Sequence, residues 1–592
     1  MKRSNSIRSA GLGKAIALFL LIILAGCGGN SGNTKPTPTP TSPSLQFTTI
    51  PTGIPADAQN SPVVGQLPGD TGMHVRLTFK VQNQQQQGSG VNKAPTSSQD
   101  LGKIANQIGI TDETYQRIKA TLGISGATLT LSKLHTELKI DAKASTIGPM
   151  FQTHFVLHKY RGRTFYAPAT PPRLPTFIAN QLIAVTGLDN YSPDVKTGYT
   201  ANTHPVYSTT GHKGATADCS PPSNQIFPSD VAHSYGYDQF YSHGYHGENM
   251  TINLVEIDGI SVSDLRNYKQ CVNYQGKITV KDINSAPTQP GEESILDIEM
   301  IMGLARNVNI VDYETGDPSF VNIEDELQQI IDDNANNTGS GNVVSISLGA
   351  AENFLSLNDL RAIDQRLYLL TQKEHMTVFV ASGDCAAFTD GVFNSLSVSF
   401  PASDPYSVAV GGTVLQVDQR GNRVGEAVWS DATDQTKCSN SWGSGGGNSN
   451  FFPQPTFQTG RGVTNNASRG FRQLPDVSAV ATNLALYFGG LWATFPDGTG
   501  AGGGTSAATP IWAVGMILTN QALIHQYHVF FYGPSLFYVV ANNAYHLVPY
   551  HDITQGNNLG FNATPGWDYA SGLGSPNLVD FYSILASFAS QH

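Results

Sequence analysis

Charge is scarce in this 592-residue chain. Only 13% of its residues are Asp, Glu, Lys or Arg, about half the usual ~25%. Lys and Arg number 34 against 45 Asp and Glu, a formal net charge of −11. The basic excess of a nucleic-acid binder is therefore missing. The charge-rich, apolar-poor composition of a disordered chain is missing too, because 40% of the residues are hydrophobic. The 60 Gly and 33 Pro follow no collagen period and mark turns in a globular chain. Cysteine is rare, five in all, and no Cys-x-x-Cys or close His pairing occurs, which argues against a zinc site. After residue 25 no segment is long and apolar enough to predict a membrane helix. What polarity there is comes from Asn, Gln, Ser and Thr, which do not titrate, so few native ion pairs can be lost when pH swings. The length allows roughly two to four domains and at least one large core.

The N-terminus carries Lys2, Arg3 and Arg8 before a short apolar run at 15–25, the pattern of a signal peptide over residues 1–26. It ends in Leu24-Ala25-Gly26-Cys27, which resembles the bacterial lipobox, where the Cys is lipidated. The plainer alternative is an ordinary signal peptide with a chance Cys. Residues 27–45 hold a Pro-Thr repeat at 35–41, an extended spacer suited to lifting a domain off a surface. The other cysteines, Cys219, Cys271, Cys385 and Cys438, are an even set in an exported chain. They suggest disulfides, with three connectivities open.

Residues 46–196 read as a small α/β domain. Residues 75–81 alternate like a strand, 101–123 have helical spacing ending at Gly, and 127–131 and 182–185 are short apolar segments. Residues 197–224 are polar and aperiodic, as in a linker. From 225 to 592 the pattern changes. Buried strands are predicted at 252–257, 343–348 and 377–381, and helices at 293–305 and 357–373. That alternation predicts an α/β fold with a parallel sheet covered on both faces. Its site is expected at the carboxyl ends of the strands.

Four motifs could carry chemistry. Gly502-Gly503-Gly504-Thr505-Ser506-Ala507-Ala508-Thr509-Pro510 puts Ser506 at the start of an apolar helix, where N–H groups and the dipole favour an oxyanion. Simple N-capping is the bland alternative. No Lys precedes the Ser, so this is not a phosphate loop, and Gly-x-Ser-x-Gly is absent. Glu293 and Asp297 are i and i+4 on one predicted helix. Held close and desolvated they would share a proton; otherwise they are a solvated acidic helix start. Asp384 ends the strand Val380-Ala381-Ser382-Gly383-Asp384, at the predicted site edge, or is a turn Asp. Last, Asp552-Ile553 and Pro565-Gly566-Trp567-Asp568 bring two carboxylates to adjoining turns, a donor set suited to a hard cation such as calcium.

Together these motifs resemble the sedolisins, the serine-carboxyl peptidases. The resemblance covers nearly the whole chain beyond the spacer. It includes Glu-x-x-Leu-Asp-Ile-Glu (293–299), Ser-Ile-Ser-x-Gly (345–349), Ala-Ser-Gly-Asp (381–384), Phe-Pro-Ala-Ser (400–403), Ala-Val-Gly-Gly-Thr (409–413), Pro-Asp-Val-Ser-Ala (475–479) and Gly-Gly-Thr-Ser-Ala-Ala-Thr-Pro (503–510). It implies a subtilisin-like parallel sheet flanked by helices, preceded by a ferredoxin-like activation prodomain over 46–196. A cleavable linker over 197–224 and a peptidase domain over 225–592 complete the implied organisation. By the same resemblance Ser506 is the nucleophile, Glu293 its base, Asp297 the partner orienting Glu293, and Asp384 an oxyanion donor beside the Ser506 N–H. One structural calcium ion is implied, held by Asp552 and Asp568 and the carbonyls of Ile553, Thr564 and Gly566. Glu256 matches an auxiliary acidic position. Leu348, however, stands where many relatives have a hydrogen-bonding Trp, and Leu cannot donate, so the role of Glu256 stays open.

A Glu base must be ionised while Asp384 keeps a proton to donate, which points to work at roughly pH 3–5. The expected substrates are proteins or peptides, and the chain's own prodomain is the expected inhibitor. A monomer is expected, exported to the cell surface or beyond, touching membrane only through a lipid on Cys27. No nucleic-acid partner is expected. Self-cleavage in the linker would release the catalytic domain. A subtilisin-like Ser-His-Asp enzyme is an alternative, but none of the 15 His has a His-Gly-Thr-like context. A catalytically inactive surface-binding protein on the same fold is another, and a lipase or esterase the weakest.

Overall fold

The computed structural model describes residues 45–592 except 85–87, 97–98, 192–195, 198–205, 208–218, 220–221, 223, 337–339, 391–394, 432–441, 496–497 and 592. The signal peptide, Cys27, nearly all of the spacer, most of the 197–224 linker and Cys438 lie outside the described residues. Two compact units are distinguished, Met1–Gln46 and Phe47–His592, and everything below concerns the second.

Its N-terminal region is a βαββαβ arrangement. Strands β1 (Gly72–Phe79), β2 (Ala127–Leu131), β3 (Glu137–Lys143) and β4 (Leu182–Thr186) form an antiparallel sheet in the order β4-β1-β3-β2. This is the ferredoxin-like order. Helices α1 (Asp112–Leu122) and α2 (Ala144–Met150) cover one face, where Val75, Leu77 and Phe79 of β1 meet Ile118, Leu122 and Ile147. The helix predicted over 101–123 is broken. A turn at Leu101–Ile104 and a short helix at Ala105–Ile108 precede α1. Gly109 makes the break, because a Cβ there would lie 2.0 Å from the His135 carbonyl oxygen. Thr111 then caps α1, its side chain accepting from Thr114 N.

The larger region carries an eight-stranded sheet. Strands β5 (Thr251–Glu256), β6 (Ile278–Asp282), β7 (Asn309–Glu314), β8 (Val343–Ile346), β10 (Thr377–Ala381) and β11 (Ser407–Val417) are parallel, in the order β6-β7-β5-β8-β10-β11. β12 (Arg423–Val428) closes the edge antiparallel, and β13 (Val477–Val480) also pairs with β11, in parallel. On one face Ile252, Leu254, Ile310 and Val343 pack on helices α3 (Glu292–Leu304) and α6 (Gly504–Tyr527). On the other, Val255, Tyr313, Val344 and Ile346 pack on α4 (Phe320–Asn334) and α5 (Leu357–Tyr368). Burial on both faces explains why these strands are near-continuous apolar runs.

Three features differ from expectation. The strand predicted over 343–348 stops at Ile346, Ser347 leaves the ladder, and β9 (Leu348–Ala351) starts a separate small sheet. The helix predicted over 357–373 loosens into a π turn at Leu369–Lys373. And α6 is long and apolar enough to cross a membrane by length and composition, contrary to the sequence reading. It is the central core helix, with 89% of its most apolar window buried inside the protein.

Of the cysteines, Cys219 bonds Cys271 and Cys385 is disulfide-bonded as well.

Candidate active site

The break after β8 and the start of α6 meet at the carboxyl edge of the sheet. Gly504 has φ +85°, a backbone region that favours glycine, and the chain turns there into α6. Ser506 therefore lies in the first helical turn, whose N–H groups lack intrahelical acceptors. Its Oγ donates to the Ser347 carbonyl oxygen at 3.1 Å, and the Glu293 carboxyl lies beside it. Glu293 and Asp297 project from the first turns of α3 onto this spot. Ser347 Oγ donates to Asp297 Oδ2 at 2.5 Å and lies 3.2 Å from the Ser506 carbonyl oxygen.

Asp384 follows β10. Its Oδ1 accepts from Thr505 N and from Thr505 Oγ1, both at 2.7 Å. Gly443 N donates to its backbone carbonyl at 2.9 Å. Thus Ser506, Glu293, Asp297 and Asp384, named from separate motifs, converge on one place. The sequence gives Ser347 no role and offers Thr505 only as a helix cap; their contacts exist only once β8, β10, α3 and α6 meet. Glu256, the open case, is 1% exposed. It accepts from Ser294 Oγ at 3.2 Å and is hydrogen-bonded with Asp297, so it joins the acids without any contribution from Leu348.

These acids are strongly perturbed. Burial lifts Glu293 well above the usual carboxyl range, and the neighbouring Asp297 charge lifts it further, against the Ser506 hydrogen bond. Burial lifts Asp297 to about 7, against hydrogen bonds from Ser347 and Glu256. Burial and then Asp297 raise Glu256 as well. Carboxyls packed this closely share protons rather than ionise together.

The site opens into a cavity of about 830 Å³ roofed by the N-terminal region, with Tyr160, Arg161, Phe165 and Tyr166 facing Asp384 and Ser506. Among the described residues its lining holds one His, His74 of that region, which leaves no base for a Ser-His-Asp arrangement. The chain at Lys196–Thr197 enters the same place as a strand, pairing antiparallel with Leu348 and Gly349.

A second cluster lies in the C-terminal loops. Gly566 N donates to both Asp552 oxygens, at 3.2 and 3.0 Å, and Thr564 N donates to Asp568 Oδ2 at 2.7 Å. Asp568 is lifted to about 6 by burial, against several hydrogen bonds. Among the described residues, no backbone N–H outside the helices and strands donates to the carbonyls of Ile553, Thr564 or Gly566. The set of two carboxylates and three such carbonyls, all hard oxygens, fits calcium.

No protein-family model matches the chain. Kumamolisin of Bacillus sp. (strain MN-32) is 32% identical over 388 residues, 62% of this chain and 64% of that protein, so under two thirds of the relative's length is spanned. Sedolisin of Pseudomonas sp. (strain 101) is 25% identical over 478 residues, 76% of this chain and 75% of that protein. A solved structure of Pseudomonas sedolisin, a serine-carboxyl proteinase complexed with two molecules of pseudo-iodotyrostatin, superposes with a TM-score of 0.52. It has 24% identity and covers 62% of this chain and 100% of its own. That likeness carries the subtilisin-like fold. Sequence relatives and fold agree with the motifs around Glu293, Asp384 and Ser506, and the chain is similar to the sedolisins.

Proposed function

We propose that the chain is an acid-acting serine-type endopeptidase made as a self-processing proenzyme. The observation that carries this reading is the Ser506 hydroxyl lying beside the Glu293 carboxyl with Asp297 behind it. A serine hydroxyl needs a base before it can attack a peptide carbonyl. Ser506 Oγ forms the new C–O bond while its proton passes to Glu293, and Asp384 with the Ser506 N–H steadies the oxyanion. The C–N bond then breaks, Glu293 gives the proton to the leaving amine, and water repeats the sequence on the acyl-enzyme. Asp297, itself bonded by Ser347, orients Glu293.

Burial in the unprocessed chain holds Glu293 protonated and unable to act as a base. Uncovering the cleft restores hydration and lowers its pKa, so the roughly pH 3–5 working range belongs to the processed form. The endopeptidase reading is favoured by the strand at Lys196–Thr197, an internal stretch of chain in the cleft. The N-terminal region acts as an inhibitory prodomain, and cutting within 197–224 frees the enzyme. Bound calcium would tie the Asp552 and Asp568 turns together as a structural ion and takes no part in the chemistry. The 1–26 segment directs export, and a lipid on Cys27 anchors the precursor.

The test is hydrolysis of an internally quenched peptide with a blocked N-terminus, against a peptide releasing a free N-terminal tripeptide, from pH 2 to 8. Cleavage of the blocked peptide with an acid optimum, lost in Ser506→Ala and Glu293→Gln, is expected. Activity peaking near pH 8, or surviving either change, sinks the mechanism. Cleavage of the free-ended peptide alone makes the enzyme an exopeptidase. Cell fractionation of a Cys27→Ser chain tests the anchor, which fails if membrane association persists.

A further inference from the structure

Buried carboxyls continue across the sheet beyond the proposed catalytic acids. In the parallel register Asp282, ending β6, stands opposite Glu314, ending β7, and Glu314 stands opposite Glu256, ending β5. Paired residues share a face of the sheet, and neighbouring strands are about 4.8 Å apart. The three carboxyls therefore form one row along the edge of the sheet, with Asp312 two residues back on the same face. That face packs on α3, where Asp297 and Ser294 meet Glu256.

Asp312 is 0% exposed, and neither of its oxygens receives a hydrogen bond from an amide, hydroxyl or cation among the described residues. Its partner is the Glu314 carboxyl, and Glu314 also meets Asp282. Ionised carboxyls only accept, so each such pair is bonded only when one member carries a proton. The groups facing this row are Asp297 and Glu293 on α3, Asp258 just after β5, and Glu326 on α4. Burial, with neighbouring carboxyls adding to it, lifts Asp312 and Glu326 well up and Glu314 to about 7. Asp312 and Glu314 thus hold protons throughout the acid range. Exposure rises from Asp312 through Glu314 at 6% to the exposed Asp282. None of Asp312, Glu314 or Asp282 lines the cavity over Ser506.

We propose that Asp312, Glu314 and Asp282 form a proton conduit that joins the buried acids of the active site, through Glu256, to solvent at the β6 edge of the sheet. The inference rests on the reading of Glu293 and Asp297 as the catalytic acids. It gives those acids contact with bulk pH while the N-terminal region covers the cleft. A proton taken up by Asp282 passes to Glu314 as Glu314 gives its own to Asp312 or Glu256. One O–H bond breaks for each that forms, and no electron moves.

Infrared spectroscopy of the full-length Ser506→Ala chain at acidic pH tests this. The C=O band of buried carboxylic acids moves down when their O–H becomes O–D. After transfer to heavy water, Glu314→Gln is expected to slow that movement in the remaining buried acids about tenfold. Asp282→Asn, an exposed change that leaves packing intact, is expected to slow it in the same direction. Unchanged exchange rates in both folded variants overturn the conduit. The measurement needs no activity, so a wild-type chain that fails to cut peptides refutes the peptidase reading separately.

Discussion

Ser347 is the residue on which the site turns. Its hydroxyl holds Asp297, and its carbonyl lies 3.1 Å from the Ser506 hydroxyl. Ser347→Ala removes the first contact and keeps the second, since a carbonyl belongs to the backbone. A hydrogen bond to a charged group contributes about 1.5–3 kcal/mol, so kcat should fall roughly 10- to 100-fold with little change in KM. An unchanged kcat means Asp297 does not need this support. Glu293→Gln removes the base and should cost about 10²–10⁴ in kcat. Ser506, Glu293, Asp297 and Asp384 were legible in the sequence because each sits in a compact local pattern: a glycine turn, an i, i+4 pair, a strand end. Ser347 was not. Its partners come from three elements far apart in the chain, and nothing in Ser-Ile-Ser tells which hydroxyl faces them. The Asp312-Tyr313-Glu314 carboxyls carried a signal that went unread, two acids at alternate positions of an otherwise apolar strand.

At the scale of elements, α4 and α5 are the face on which the N-terminal sheet docks. Arg76 of β1 pairs with Asp325 of α4, and Glu137 of β3 with Arg366 of α5. Thr186 of β4 donates to Glu324 at 2.7 Å. The helical periodicity of α5 was readable. The burial of Glu324, Asp325 and Glu326 was not, because acids on a helix read as solvent-facing until a second sheet covers them. The two ion pairs differ in their response to acid. Burial raises Asp325, but the Arg76 charge and hydrogen bond outweigh it and hold it at about 2. Its stabilisation is present above pH ~4 and is lost only as pH falls toward 2. Burial raises Glu137 instead, against Arg366, so that pair weakens first on acidification. Removing one partner of a buried pair costs about 3–5 kcal/mol. Asp325→Ala should therefore speed the appearance of the processed form at pH 5, followed on gels. A rate equal to wild type shows that the Arg76 pair does not hold the cover. In the C-terminal loops, a calcium chelator should lower Tm by several degrees, and Asp568→Asn should abolish that sensitivity. A Tm indifferent to chelator removes calcium from the account.

Across the whole molecule, the scarce charges are unevenly placed. Glu293, Glu299, Asp312, Glu326 and Asp404 are all buried and pushed well up by burial. Asp359 is lifted to about 6, and Asp297 and Glu314 to about 7. A carboxyl raised in the folded state binds more protons there than when unfolded. The stability it contributes is complete below pH ~4 and is lost as pH rises through the folded value. The Tm of the Ser506→Ala chain should therefore peak near pH 4 and fall between pH 4 and 8. A Tm that rises over that interval contradicts the assignment. Composition alone points to tolerance of acid; the arrangement of the buried acids predicts a preference for it.

The N-terminal region also grips the molecule a second time. Lys93–Pro95 adds a strand to Val529–Phe531, just beyond the far end of α6, about 36 Å along that helix from its Ser506 end. A single cut in the linker leaves this grip untouched. The severed halves would stay together for as long as the strand pairing and the helix-face contacts last. If a lipid holds the N-terminal half, the dissociation lifetime of that embrace, and not the speed of the cut, would set how far from its own cell the catalytic half could travel before it began to work.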